Sequence, residues 1–360
     1  MSPMPGQVHV LAVGARTPLG LNALQVAMGL RACLFEPRST AFRDRHEWLI
    51  GAHRSPGLPD DLFGFERFVE FGAPALRECA QALARPVPIV LALPDADRPD
   101  QRQRCFDLDL VDAIATRAGV AVDRDRSAIV RADNAGFGFA LEAACERIAA
   151  AGAVLVGGID SYFHPDVLAW LDEEGRLHSH GSEDGIVPAE GAAFALLAQD
   201  GGDPRQVGRG PLGRLAQLRA FETGLEPAIG GQAPNLAATS TAMVRAVLPP
   251  QGERCWLLTD WNGERGRRLE WGKVEFRLAD EVTALLHDPL VPELGDSGAA
   301  TGAILLAIAC EFWQAGCAPA ANAVIGLLAD GPPRAAFALR AAAPTAEGPT
   351  AAPRARTEAP

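Results

Sequence analysis

The chain has 360 residues, enough for one large domain or two, and 48% hydrophobic with 22% charged residues is a globular composition. Its 33 Lys and Arg against 45 Asp and Glu leave a net charge of -12, which excludes the basic footprint a phosphate backbone requires, so no nucleic acid is expected as a partner. The seven cysteines are odd in number and contain no Cys-x-x-Cys, so neither a disulfide framework nor a zinc site is written here and a reducing cytoplasm is the expected compartment. The opening Met-Ser-Pro-Met-Pro-Gly lacks a basic stretch followed by an apolar one, and no apolar run approaches the ~20 residues that span a bilayer, so no membrane is expected either.

A strand is predicted over Val8 to Val13, closed by Gly14, and Thr17-Pro18-Leu19-Gly20 turns the chain into a helix from about Asn22 to Arg31. Little regular structure is predicted between about Arg38 and Gly64, where Pro, Gly and charges crowd. From Arg85 the elements alternate. The apolar run around Ile89 to Leu93 reads as a buried strand, and Leu108 to Gly119 as a helix with a glycine stop. Ser127 to Ala132 is a strand, Phe137 to Ala151 a helix, and Ala153 to Val156 a strand ending in Gly157-Gly158. This is the rhythm of a layered α/β protein with a parallel sheet.

The second part repeats the first. After a strand from Cys255 to Thr259, Asp296 to Gly302 opens an apolar helix reaching about Gln314, followed by strands near Ala323 to Leu328 and Ala335 to Ala341. Six of seven letters agree between Ala192–Ala198 and Ala335–Ala341, a sign of duplication that alanine-rich chains also produce by chance. The predicted division is a first half over 1–204, a second over 205–342 and a Pro-rich disordered tail over 343–360.

Gly14-Ala15-Arg16-Thr17-Pro18-Leu19-Gly20, Gly157-Gly158-Ile159-Asp160 and, most specifically, Asp184-Gly185-Ile186-Val187-Pro188-Ala189-Glu190-Gly191-Ala192 resemble the motifs of the thiolase superfamily, in particular the β-ketoacyl-acyl-carrier-protein synthases. The resemblance implies a thiolase-like α/β fold, two similar halves in a layered αβαβα arrangement with the core helices between two sheets. In active synthases a cysteine at a helix N-terminus is the nucleophile, where the helix dipole and backbone N–H groups assist it, and two histidines support decarboxylation and condensation. Matching the motifs places Ala135, or at a shift of one Asn134, where the cysteine would be, and Asn262 and Asp296 where the histidines would be. A lysine that should precede the second histidine is missing, Lys273 being too far upstream.

The remaining chemistry-bearing residues have plainer readings. Cys145 lies about three turns into its helix, away from the end that activates thiols, and with Cys310 and Cys317 reads as a small buried hydrophobe. His178 and His180 with Glu183 and Asp184 read as a solvated loop rather than a metal site, and Gly208 to Gly213 lacks the spacing of a phosphate loop, so no metal or cofactor is expected. Asp296 before Ser297 is also an ordinary helix cap. The expected function is that of a ketosynthase-like protein without its triad, with vestigial positions Asn134, Ala135, Asn262 and Asp296 and no catalytic residue. It would act as a binding or scaffold subunit in a homodimer or heterodimer, its partner an active synthase, an acyl carrier protein or a type VI secretion effector. The alternative is an acyltransferase or condensing enzyme acting on acyl thioesters through a remodelled site.

Overall fold

The computed structural model describes residues 7–342 except 34, 35, 82, 103, 105, 180, 181, 201–212, 229, 230, 232 and 283. The tail expected over 343–360, His180, and most of the Gly208 to Gly213 stretch lie outside the described residues.

The first half contains β1 (Val8–Arg16), α1 (Ala23–Arg31), a hairpin of β2 (Arg38–Arg43) and β3 (Leu49–Ala52), α2 (Gly64–Cys79), β4 (Ile89–Leu93), α3 (Leu108–Ala118), β5 (Ala128–Arg131), α4 (Gly136–Ala151), β6 (Ala153–Ser161), α5 (Pro165–Glu173) and β7 (Glu190–Gln199). The second contains β8 (Ala216–Leu225), α6 (Ala238–Val247), β9 (Arg254–Thr259), α7 (Arg265–Leu278), β10 (Ala284–Asp288), α8 (Val291–Leu294), α9 (Thr301–Gln314), β11 (Asn322–Leu328) and β12 (Pro333–Ala341). Local chemistry explains several boundaries. Asn22 caps α1 by accepting the Gln25 N–H at 2.8 Å, and Gly119 ends α3 in the left-handed region at φ 70.

The strands run β5-β4-β6-β7-β1 in one half and β10-β9-β11-β12-β8 in the other, the same order and the same mixture of parallel and antiparallel pairs. The two sets of five strands thus share one topology, as the expected pair of similar halves requires. The matching letters do not add to this, because Phe194 of β7 packs outward with α2 and α3 whereas Phe337 of β12 packs inward against Phe137 of α4. Since strand side chains alternate in direction, the two strings are equivalent in place but opposed in face.

Alternation along each strand builds the layers. Val154 and Val156, Ala195 and Leu197, Ile325 and Leu327, and Phe337 and Leu339 face a central core with α1, α4 and α9. Leu155, Phe194 and Leu196 face α2 and α3, while Val324, Ala336 and Ala338 face α6 and α7. The arrangement is αβαβα. α9 is apolar on nearly every side because sheet and helix surround it.

Three expectations are corrected. The two sheets are hydrogen-bonded into one of ten strands, because Val8–Val10 of β1 pairs antiparallel with Ala216–Leu218 of β8. β6 does not stop at Gly157-Gly158 but continues to Ser161, since the two glycines pair with Phe194 and Ala193 across the ladder. The stretch from Arg38 to Gly64 holds the β2–β3 hairpin, whose strands are short and follow no clear alternation. Among the described residues no helix is long and apolar enough to cross a membrane.

Candidate functional site

The site lies where the two central helices begin. β5 ends at Arg131, and the chain turns through a single 3₁₀ turn, Asp133–Ala135, into α4. In the second half Gly298–Ala300 forms the corresponding turn before α9. The halves interlock here. Asp160, in the Gly-Gly-x-Asp motif, accepts the Ala299 N–H at 2.9 Å, and a Cβ on Gly158 would lie 2.5 Å from the Ala299 carbonyl oxygen. Gly298 adopts φ +49, and any Cβ there would meet the Asp160 carboxylate at 2.1 Å.

The most specific sequence motif positions Asp296. Val187 accepts the Asp296 N–H at 2.9 Å, and the Ala189 N–H donates to the Asp296 carbonyl, also at 2.9 Å. The motif's Glu190 has a different task. It forms a fully buried ion pair with Arg67, at 2.6 and 2.8 Å, and accepts from Ser55 N–H and the Ser161 hydroxyl.

Asn134, Asn262 and Asp296 are brought together. Asn134 Nδ2 donates to Asp296 Oδ1 at 3.0 Å, and Asn262 Nδ2 donates to Asp296 Oδ2 at 2.6 Å. Asp296 Oδ1 also accepts the Gly298 N–H at 2.8 Å, two residues on, but Asp296 is not the expected cap: Ser297 holds the N-cap position of the turn and makes no side-chain cap bond. All three side chains are buried. Ala135 lies beside them at the foot of α4, but its methyl group packs into the central core, so Asn134 is the side chain that reaches the other two.

Four further residues complete the site and were not picked out from the sequence. Arg267, in the first turn of α7, donates to Asn134 Oδ1 at 3.3 Å and to Asp260 and Asp330, each at 2.7 Å. Glu264 accepts from Asn262 at 3.0 Å and from Arg176 at 2.7 Å. Burial alone would raise the Asp330 carboxyl, but Arg267 and Arg176 hold it down at about 2. The available signal was the spacing of Glu264 and Arg267 three apart at a helix start, just past the Asn262 turn. The fourth is Asp133, which occupies φ +44, a conformation rare outside glycine, at the corner between strand and helix. Burial first, then the carboxylates of Asp95 and Asp330, push its carboxyl up to about 8.

Of the described thiols, Cys33 is exposed and Cys317 is half-buried, not buried as expected. Cys79, Cys145, Cys255 and Cys310 are buried, and burial raises each thiol pKa, to about 12 for Cys145 and Cys255. His178 is exposed on its loop, 3.4 Å from the Glu183 carbonyl, while Asp184 accepts the Arg265 N–H at 2.6 Å.

No protein-family model matches the sequence, and no curated protein does. Solved structures do match. The ketosynthase from module 6 of the bacillaene synthase of Bacillus subtilis 168 superposes with a TM-score of 0.74 at 12% identity, over 94% of this chain and 72% of that one. The chain has the thiolase-like ketosynthase fold. An oxazolomycin ketosynthase domain from Streptomyces albus JA3453 gives 0.71 at 14% identity, over 96% and 75% of the two chains. The ishigamide ketosynthase/chain length factor gives 0.69 at 16% identity, over 94% and 100%. Within this ketosynthase fold, the polar cluster sits at the starts of α4 and α9, where the halves meet.

Proposed function

We propose that this chain is a ketosynthase-like subunit without condensing chemistry, which works by binding a protein partner. The observation that carries the reading is the buried Asp296 carboxylate, which takes the Asn134 amide on one oxygen and the Asn262 amide on the other. Each carboxylate oxygen is occupied by donors from within the protein, and the two amides carry neither an acidic proton nor a basic lone pair. A condensing site needs a nucleophile and groups that take up developing charge, and these residues supply mutual satisfaction instead.

Protein partnering is in keeping with the structural neighbours. One is a ketosynthase in complex with its type II polyketide synthase acyl-carrier protein, at a TM-score of 0.65 and 16% identity, and another is the ketosynthase/chain length factor. β5 supplies a surface for it. This strand is the outer edge of the sheet, and its Ala128, Ile129 and Val130 are half-buried and apolar, without the lysine or proline that blunts an edge. A second ketosynthase-like chain would add its own strand there.

The test is affinity capture of the tagged chain from its own cells, with the recovered proteins identified by mass spectrometry, beside a Val130→Asp variant checked for folding by thermal melt. An active ketosynthase, an acyl carrier protein or a type VI secretion effector recovered with the first and lost with the second supports the reading. Recovery of none of them counts against it.

A further inference from the structure

α7, in the outer layer of the second half, buries Arg267, Glu270, Trp271, Val274 and Leu278. Its opposite face carries apolar residues as well, which an outer helix facing only water does not need. Leu269 and Phe276, two turns apart and therefore on one line, are 51% and 85% exposed. Gly272 lies between them on the same face, and a Cβ built there would meet nothing within 4 Å. Glycine within a helix costs stability relative to alanine, and no contact of this chain calls for it at 272. A second backbone approaching the helix at that point would use the space that a side chain would fill.

The two ends of this face carry opposite charge. Arg265 and Arg268 are exposed at the start of α7 and Asp280 just past its end. Among the described residues none of these three side chains has a hydrogen-bond or ion-pair partner. Glu275, which meets His287 at 2.7 Å, adds to the acidic end. A two-fold axis crossing the helix between Gly272 and Lys273 therefore makes the face complementary to itself. It sets Leu269 of one copy against Phe276 of the other and Arg265 against Asp280, each contact made twice, with Arg268 near Glu275. The antiparallel arrangement also opposes the two helix dipoles.

We propose that this face of α7 is the docking surface for a second copy of the chain, the two α7 helices packing antiparallel across a two-fold axis. The surface belongs to the second half and is separate from the β5 edge of the first, so it stands whether or not the chain has lost condensing chemistry.

The test is sedimentation equilibrium of the purified chain over about 1–200 μM, because a helix pair is a small interface and a dissociation constant on the order of 10–100 μM is expected. Phe276→Asp weakens the association about tenfold or more and, since the side chain is exposed, leaves the thermal midpoint of the dilute chain unchanged. Arg265→Asp weakens it too, and adding Asp280→Arg restores it, because the reversed pair is again complementary. Gly272→Ala raises the midpoint of the dilute chain while weakening the association, a split that a role within one chain does not produce. A chain that is monomeric throughout the range overturns the proposal. So does an assembly state that Phe276→Asp leaves unchanged, and if Val130→Asp then dissociates it, the second copy sits on the β5 edge instead. A double variant no tighter than Arg265→Asp alone overturns the antiparallel pairing.

Discussion

Asn134 and Asp296, 162 residues apart in the chain and carried by opposite halves, are joined by a 3.0 Å hydrogen bond in the interior. The bond ties the first turn before α4 to the first turn before α9, and Asn262 closes on the same carboxylate from the end of β9. The residues of the polar cluster are thereby also structural residues, and their removal has measurable consequences.

Asp296→Ala leaves the Asn134 amide and the Gly298 N–H buried without their acceptor, and leaves the Asn262 amide with Glu264 alone. Such groups cost about 1–3 kcal/mol each before relaxation, and a total loss of about 3 kcal/mol is expected in urea unfolding. Asp296→Asn keeps an acceptor oxygen and loses less. Equal losses for the two variants would mean that the carboxylate's hydrogen bonds do not hold the cluster.

Gly158→Ala places a methyl group against the backbone of Ala299 and Ala300, which cannot swing aside as a side chain would. The expected cost is about 2 kcal/mol, the usual range for overpacking, read as a lower thermal midpoint. An unchanged midpoint would show that the halves are not in close contact here.

Arg67→Ala strands Glu190 in the interior, where its side chain is fully buried, and a loss of about 3–5 kcal/mol is expected. Replacing both, as Arg67→Met with Glu190→Gln, restores part of it. A double variant worse than the single one would contradict a structural role for the motif's glutamate.

Asp133 gives stability a pH dependence of defined sign. Its carboxyl titrates above the ordinary range in the fold, so the folded chain binds more protons than the unfolded chain and stability falls as pH rises from the usual carboxylate range to about 8. Asp95, Asp330 and Arg98 are the charged groups that set this balance. Asp133→Asn removes the titrating group, and Asn tolerates the left-handed backbone at φ +44. The variant should therefore gain on the natural chain progressively between pH 5 and pH 8 in denaturant melts. Parallel curves would contradict the assignment.

The sequence disclosed the fold through buried strands such as Ile89–Leu93, whose apolar runs are unambiguous, and through glycines at sites of close approach such as Gly158. It placed Asn262 and Asp296 because both sit in motif turns of known spacing. It left Asn134 and Ala135 undecided, because only the direction of the side chains at the foot of α4 separates them. Arg176, Arg267 and Asp330 were hidden for another reason. They come from three distant segments, and an arginine in a chain with a single lysine stands out neither by composition nor by periodicity. α2 went unseen because Pro74 lies inside it.

The central claim is that this ketosynthase-like chain binds without condensing. The most direct measurement is to incubate the purified protein with malonyl- and acyl-loaded carrier protein and follow intact mass and carbon dioxide release together. The account predicts no stable acyl adduct and no release above that of the carrier alone, because no thiol stands at the start of α4 and the polar cluster is internally satisfied. A stoichiometric acyl adduct on any cysteine, or release that Asn134→Ala abolishes, would contradict it.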